Sequence, residues 1–133
     1  MGVLHHPEVR MIHSQYVPAH QRLDAYRVAV DLFRGVEDAA ARFPRGYADM
    51  KDQLRRAAGA TVRNIAEGAN RQHTADKQAR YLVARGEVGE CEAVLEMAQI
   101  VGAIDGPEAV RLRQLAARVG AMLGGLVRAL EPD

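Results

Sequence analysis

The sequence predicts an all-α protein, an antiparallel up-down-up-down four-helix bundle preceded by an N-terminal extension. Three observations predict it. The composition is rich in Ala, Arg, Leu, Val and Glu, with 5% aromatics and no Trp, a set that favours helices over strands. From about Leu23 onward, apolar residues recur at three- and four-residue spacing, the period of a helix face. The stretches that carry this period are joined by short turns containing Pro or Gly, which makes consecutive helices antiparallel neighbours. A chain of 133 residues fits one domain with a usable core, here divided into a tail over residues 1–21 and a bundle over residues 22–133.

The tail holds Pro7 and Pro18, four of the five histidines (His5, His6, His13 and His20) and no helical period. It reads as a flexible leader or, because Val9, Met11, Ile12, Tyr16 and Val17 are apolar for a solvated segment, as an arm that docks on the bundle or on a protein partner. Metal binding by the histidines is a third reading, without a spacing that fixes a geometry.

The first helix is expected from about Leu23 to Arg42, burying Tyr26, Ala29, Val30, Phe33, Val36 and Ala40. Phe43-Pro44 ends it, because the residue before a proline is pushed out of the α region. The second runs from about Ala48 to Gly68, with Met50, Leu54, Ala58, Thr61 and Ile65 toward the core. Gln53, Ala57, Ala60 and Asn64 form a flanking face of small or neutral residues, and Asp52, Arg56, Arg63 and Glu67 a charged strip. Gly68 is expected to end it in the left-handed conformation. Thr74 is then the expected N-cap of the third helix, with Asp76 in its first turn.

The third helix, from about Ala75 to Gly102, is apolar twice over. Tyr81, Ala84, Val88, Cys91, Leu95 and Ala98 form a core stripe, and Leu82, Gly86, Gly89, Ala93, Met97 and Ile100 line up nearly opposite. A narrow polar arc of Gln78, Arg85, Glu92, Glu96 and Gln99 separates them. A helix apolar on two faces needs cover on both, which points to a second subunit. After a break with Asp105 or Gly106 as N-cap and Pro107 in the first turn, the fourth helix spans about Pro107 to Leu130. Leu112, Leu115, Val119, Met122, Leu126 and Leu130 make its stripe. Arg111, Arg113, Arg118 and Arg128 occupy the other faces, with no acid between Ala109 and Ala129.

Charge and motifs narrow the function classes. The formal net charge is only +1, so a nucleic-acid surface must come from local segregation of charge. The single Cys91 excludes an internal disulfide framework and a multi-cysteine zinc site, and an inert buried thiol is its expected state. No apolar run reaches membrane-spanning length, and MGVLHHPEVR lacks the basic start and apolar core of a signal peptide. A cytoplasmic protein is expected. No nucleophile with a neighbouring base, Gly-rich phosphate loop or Glu-x-x-His pair occurs, and His73 stands alone in a turn. No enzyme activity, cofactor or metal is expected.

Taken in order, LDAYRVAVDLF, FP, QLRRAAGATVRNIAEG and DKQARYLVARGEVGECEAVLEMAQIVG resemble the four-helix-bundle proteins encoded in intervening sequences of bacterial 23S rRNA genes, over about residues 22 to 130. NIAEG with the preceding QLRRA is the most specific part. The resemblance implies a homo-oligomer, commonly a homopentamer, and a likeness to the accessory proteins of diversity-generating retroelements, which bind nucleic acid. RNA or DNA is thereby an implied partner. Carried over by position, the signature residues are Gln53, Arg55, Arg56, Asn64, Glu67, Gly68, Gly86 and Glu90. Glu87 follows Gly86 where the family usually has a small polar residue, and Cys91 replaces a larger aliphatic.

The candidate residues fall into two sets. Arg55, Arg56, Arg63, Arg71, Lys77, Arg80, Arg111 and Arg118 are candidate nucleic-acid contacts. Between Pro44 and Thr74 six basic residues face three acidic ones, a modest bias. Gln53, Asn64, Glu67, Gly68, Gly86, Gly89 and Glu90 are candidate structural or interface positions, with Glu67 or Glu90 available to pair with Arg56 and Asn64 to bond a facing helix. Two functions fit: an oligomeric bundle that binds nucleic acid, RNA foremost, through arginines, or a scaffold that presents helix faces and the tail to a protein partner.

Overall fold

The computed structural model describes residues 16–132. Among them lie four long helices, α1 (Asp24–Ala40), α2 (Ala48–Asn70), α3 (Thr74–Ile100) and α4 (Gly106–Ala129), preceded by one 3-10 turn (Ala19–Arg22). The helices run up, down, up and down, with α2 packed on α3, α3 on α4, and α1 closing the ring against α2 and α4. Residues 1–15, with His5, His6, His13, Val9, Met11 and Ile12, lie outside the described residues.

The core follows the period of each helix. Leu32, Val36, Leu54, Ile65, Val88, Leu95, Leu112, Val119 and Leu123 are its large, fully enclosed side chains. Burying each removes apolar surface worth roughly 1.5–3 kcal/mol from water, and together they fix the rotation of all four helices. Thr61, the one buried polar side chain among the described residues, donates to the Ala57 carbonyl at 2.8 Å, so no polar group is left unmatched there.

Two helices are rotated from the expected faces. In α1 the enclosed residues are Ala25, Val28, Ala29, Leu32, Val36, Ala39 and Ala40, while Tyr26, Val30 and Phe33 are half-buried at the edge. Gly35 explains the turn: a Cβ there would stand 2.3 Å from Leu112 Cδ2, so its absence lets α4 lie directly against the Leu32 side of α1. In α4 the deepest positions are Leu112, Ala116, Val119 and Leu123, with Leu115, Met122, Leu126 and Leu130 flanking them. Met50 of α2 is likewise half-buried rather than enclosed.

The helix ends also differ. Gly68 is helical, α2 continuing to Asn70 with Arg71 extended (φ −76°, ψ 152°). Its last carbonyls are met from α3, where Lys77 Nζ donates to Ala69 O at 2.8 Å, so no left-handed residue is required. The glycine cap occurs instead at Gly102 (φ +75°), which ends α3 in a Schellman motif: Ala103 N donates to Ala98 O at 2.8 Å and Gly102 N to Gln99 O at 3.1 Å. Helix α3 starts one residue early, at Thr74, with His73 as its N-cap. Of the two expected N-cap positions of α4, Asp105 holds it, without a side-chain capping hydrogen bond, and a proline follows in the first turn as expected.

The 3-10 turn is strapped to the end of α2. Ala19 N donates to Asn70 Oδ1 at 3.2 Å, Asn70 Nδ2 bonds His20 Nδ1 at 2.8 Å, and the His20 ring meets Tyr26 edge-on with centroids 4.7 Å apart.

Candidate functional site

Four of the eight candidate cations are tied into the bundle. Arg55 forks onto Glu37 of α1, Nε to Oε2 at 2.8 Å and Nη2 to Oε1 at 3.1 Å, and this hydrogen bond and charge hold its pKa above the ordinary arginine value. Arg71 pairs with Glu67 one turn back on α2, and its own pKa is raised by that hydrogen bond. Lys77 caps α2. Arg80 Nη1 donates to Asn64 Oδ1 at 3.3 Å and stands 3.9 Å from Glu67.

Glu67 is therefore the hub of a small network between α2 and α3, and its partners are Arg71 and Arg80 rather than Arg56. The hydrogen bond from Arg71, helped by the charges of Arg71 and Arg80, holds its carboxyl below the usual carboxylate range against an opposing desolvation. Asn64 bonds the facing helix through Arg80 as expected, and its amide also donates to Ala60 O at 2.8 Å. Glu90 and Gln53 are exposed, and Glu90 forms no ion pair among the described residues.

The remaining cations, Arg56, Arg63, Arg111 and Arg118, are exposed and pair with no carboxylate among the described residues. Arg56 and Arg63 stand seven residues apart on α2, and Arg111 and Arg118 seven apart on α4, so each pair shares one helix face. Arg63 folds back over Gly59, its Nη1 2.9 Å from where a Cβ would be, with the Phe33 ring beyond. Arg111 Nη2 lies 3.4 Å from the corresponding point at Gly35. Arg63 thus approaches α1 from α2, and Arg111 from α4. Arg113, grouped in the sequence with the α4 arginines, belongs to the bundle instead, donating to Glu92 Oε2 at 2.7 Å.

The glycines separate into two kinds. At Gly35, Gly59 and Gly68 the missing Cβ makes room for a side chain of this same chain. At Gly86 and Gly89 a Cβ would meet nothing within 4 Å. They sit on the outer face of α3, where Leu82 is 48%, Met97 47% and Ile100 76% exposed, with Val101 next to them. The second apolar stripe of α3 is thus uncovered in the single chain. Lys77 as a helix cap and the Arg113–Glu92 pair were not legible from spacing, because each joins helices whose relative height the sequence does not state.

No helix of the described residues is long and apolar enough to cross a membrane. A comparison with curated proteins gives no match. The family model for the 23S rRNA-intervening sequence protein matches residues 21–125, from the 3-10 turn through most of α4. The uninterrupted match across all four helices places the chain in that family: it is a member of the 23S rRNA-intervening sequence proteins.

Proposed function

We propose that the protein is a non-enzymatic homo-oligomer that associates through the outer face of α3 and binds RNA through arginines, reading phosphate charge rather than base identity. The observation that carries the assembly is the uncovered face of α3. Gly86 and Gly89 each cost roughly 1 kcal/mol in a helix interior relative to Ala, and within one chain nothing occupies the space they leave. A neighbouring subunit approaching closely offsets that cost and covers Leu82, Met97 and Ile100. Five subunits is the number that the family resemblance implies.

RNA is the favoured partner because the family is tied by its description to 23S rRNA and because Arg56 and Arg63 share an exposed face of α2 and neither forms an ion pair among the described residues. One such pair binds phosphate weakly. Repeated around an assembly, weak contacts add by avidity, and the complex dissolves steeply with salt. The test is the double variant Arg56→Glu with Arg63→Glu, assayed by gel shift on a mixed-sequence RNA. Loss of the shift at unchanged native mass supports the reading. An unchanged shift removes these arginines from it.

A second reading is favoured by Tyr16 and Val17, which are exposed where the chain reaches the strapped turn. In it, the segment before residue 16 recruits a protein partner to the oligomer. Deleting residues 1–15 then abolishes co-purification of that partner while native mass is kept. Recovery of the same proteins by the shortened chain rejects it.

A further inference from the structure

Arg85 of α3 and Arg128 of α4 converge on Gly124. Measured from the position a Cβ would take at Gly124, Arg128 Nη1 is 3.3 Å away, Arg85 Cζ 3.9 Å and Arg85 Nη1 4.0 Å. The two Nη1 atoms are then at most about 7 Å apart, a gap that charge-assisted bonds of about 2.8 Å to different oxygens of one group can close. Neither guanidinium has a carboxylate partner among the described residues. Glu92, which shares the α3–α4 groove with Arg85, is already taken by Arg113.

Two like charges repel at this separation, and the bundle holds them together without an acid between them. Gly124 is what allows it: Arg128 folds back one turn over the bare backbone, and Arg85 reaches the same spot from the neighbouring helix. The two helices are pinned here by Gln78 Nε2, which donates to Val127 O at 3.1 Å. Both arginines are exposed in the single chain. We infer that Arg85 and Arg128 form a phosphate-binding site at the α3–α4 seam. A phosphate group offers more oxygens to two guanidinium forks than a carboxylate does, and it can carry a second charge that matches the two arginines. The site lies on different helices from Arg56 and Arg63, and does not depend on the RNA reading.

The test is thermal unfolding of the full chain in about 20 mM inorganic phosphate against chloride at matched ionic strength, where a ligand of millimolar affinity raises Tm by a few degrees. The wild type is expected to gain about 2–5 °C from phosphate, with Arg85→Gln and Arg128→Gln losing that gain while keeping their helical circular dichroism, and Arg45→Gln, in the turn between α1 and α2, keeping it. No phosphate-specific gain in the wild type, or a gain that survives in both seam variants, overturns the site. Displacement of a short labelled RNA by inorganic phosphate identifies the source. RNA binding that weakens in the seam variants assigns the site to backbone phosphates. RNA binding untouched in variants that have lost the phosphate gain assigns it to a free phosphate compound.

Discussion

Gly68 of α2 lies flat against the ring of Tyr81 of α3: a Cβ at residue 68 would stand 2.8 Å from Tyr81 Cε1, 2.9 Å from Cδ1 and 3.0 Å from Arg80 Cβ. Tyr81 is 4% exposed and has little room to retreat. Gly68→Ala improves helix propensity by roughly 1 kcal/mol but overfills a closed contact, which costs about 1–3 kcal/mol. The overfilling is expected to win, giving a net loss of up to about 2 kcal/mol by urea unfolding. A stabilised variant would show that the helices part there without cost.

Gly89→Leu has the opposite expectation. A Cβ at residue 89 meets nothing within the chain, so the subunit keeps its fold and gains roughly 0.5–1 kcal/mol of helix propensity. The account predicts a lower native mass at unchanged helical content. An oligomer of unchanged size would show that this part of α3 is not a close interface.

Cys91 is enclosed among the core residues, and burial, with smaller contributions from Glu90 and Glu92, pushes its thiol up to about 12. Only the thiolate reacts with disulfide reagents. At pH 8 the native thiolate fraction is about a thousandfold below that of an unfolded chain. Labelling with a chromogenic disulfide is expected to be slow in native protein and rapid in urea. Equal rates in both would mean that α3 opens readily.

Glu67 supplies a pH signature. Its carboxyl is held below the usual carboxylate range by the Arg71 hydrogen bond first, and by the charges of Arg71 and Arg80. A carboxylate with a depressed folded pKa stabilises fully above its unfolded pKa and stops doing so as pH falls through its folded one. The stability difference between wild type and Glu67→Gln is therefore expected at pH 7 and should fade as pH falls through and below the ordinary carboxylate range. A difference independent of pH would assign the effect to packing instead.

The fold was legible because α2, α3 and α4 carry a clean helical period and Pro44, Gly102 and Pro107 punctuate it. Both faces of α3 could be read directly, since each is a stripe within one helix. The face of α1 was misjudged because its aromatics, Tyr26 and Phe33, drew the stripe toward themselves, while Gly35, with no side chain to count, decides where α4 docks. Gly68 misled for a related reason: a glycine near a helix end fits both a cap and a close contact, and only the position of Tyr81 distinguishes them. Among the cations, residue spacing could not say which would be neutralised, since Arg55–Glu37 and Arg113–Glu92 are set by how neighbouring helices stand against one another. The convergence of Arg85 and Arg128 was hidden for the same reason.

Native mass by light scattering, measured with and without bulk RNA at about 50 and 200 mM salt, reads assembly and RNA binding in one experiment. The expected particle is a multiple of the 14.6 kDa protomer, gains mass with RNA at low salt and returns to its starting mass at high salt. A single 14.6 kDa particle, unchanged by RNA at either salt concentration, would contradict both the assembly through α3 and the nucleic-acid reading.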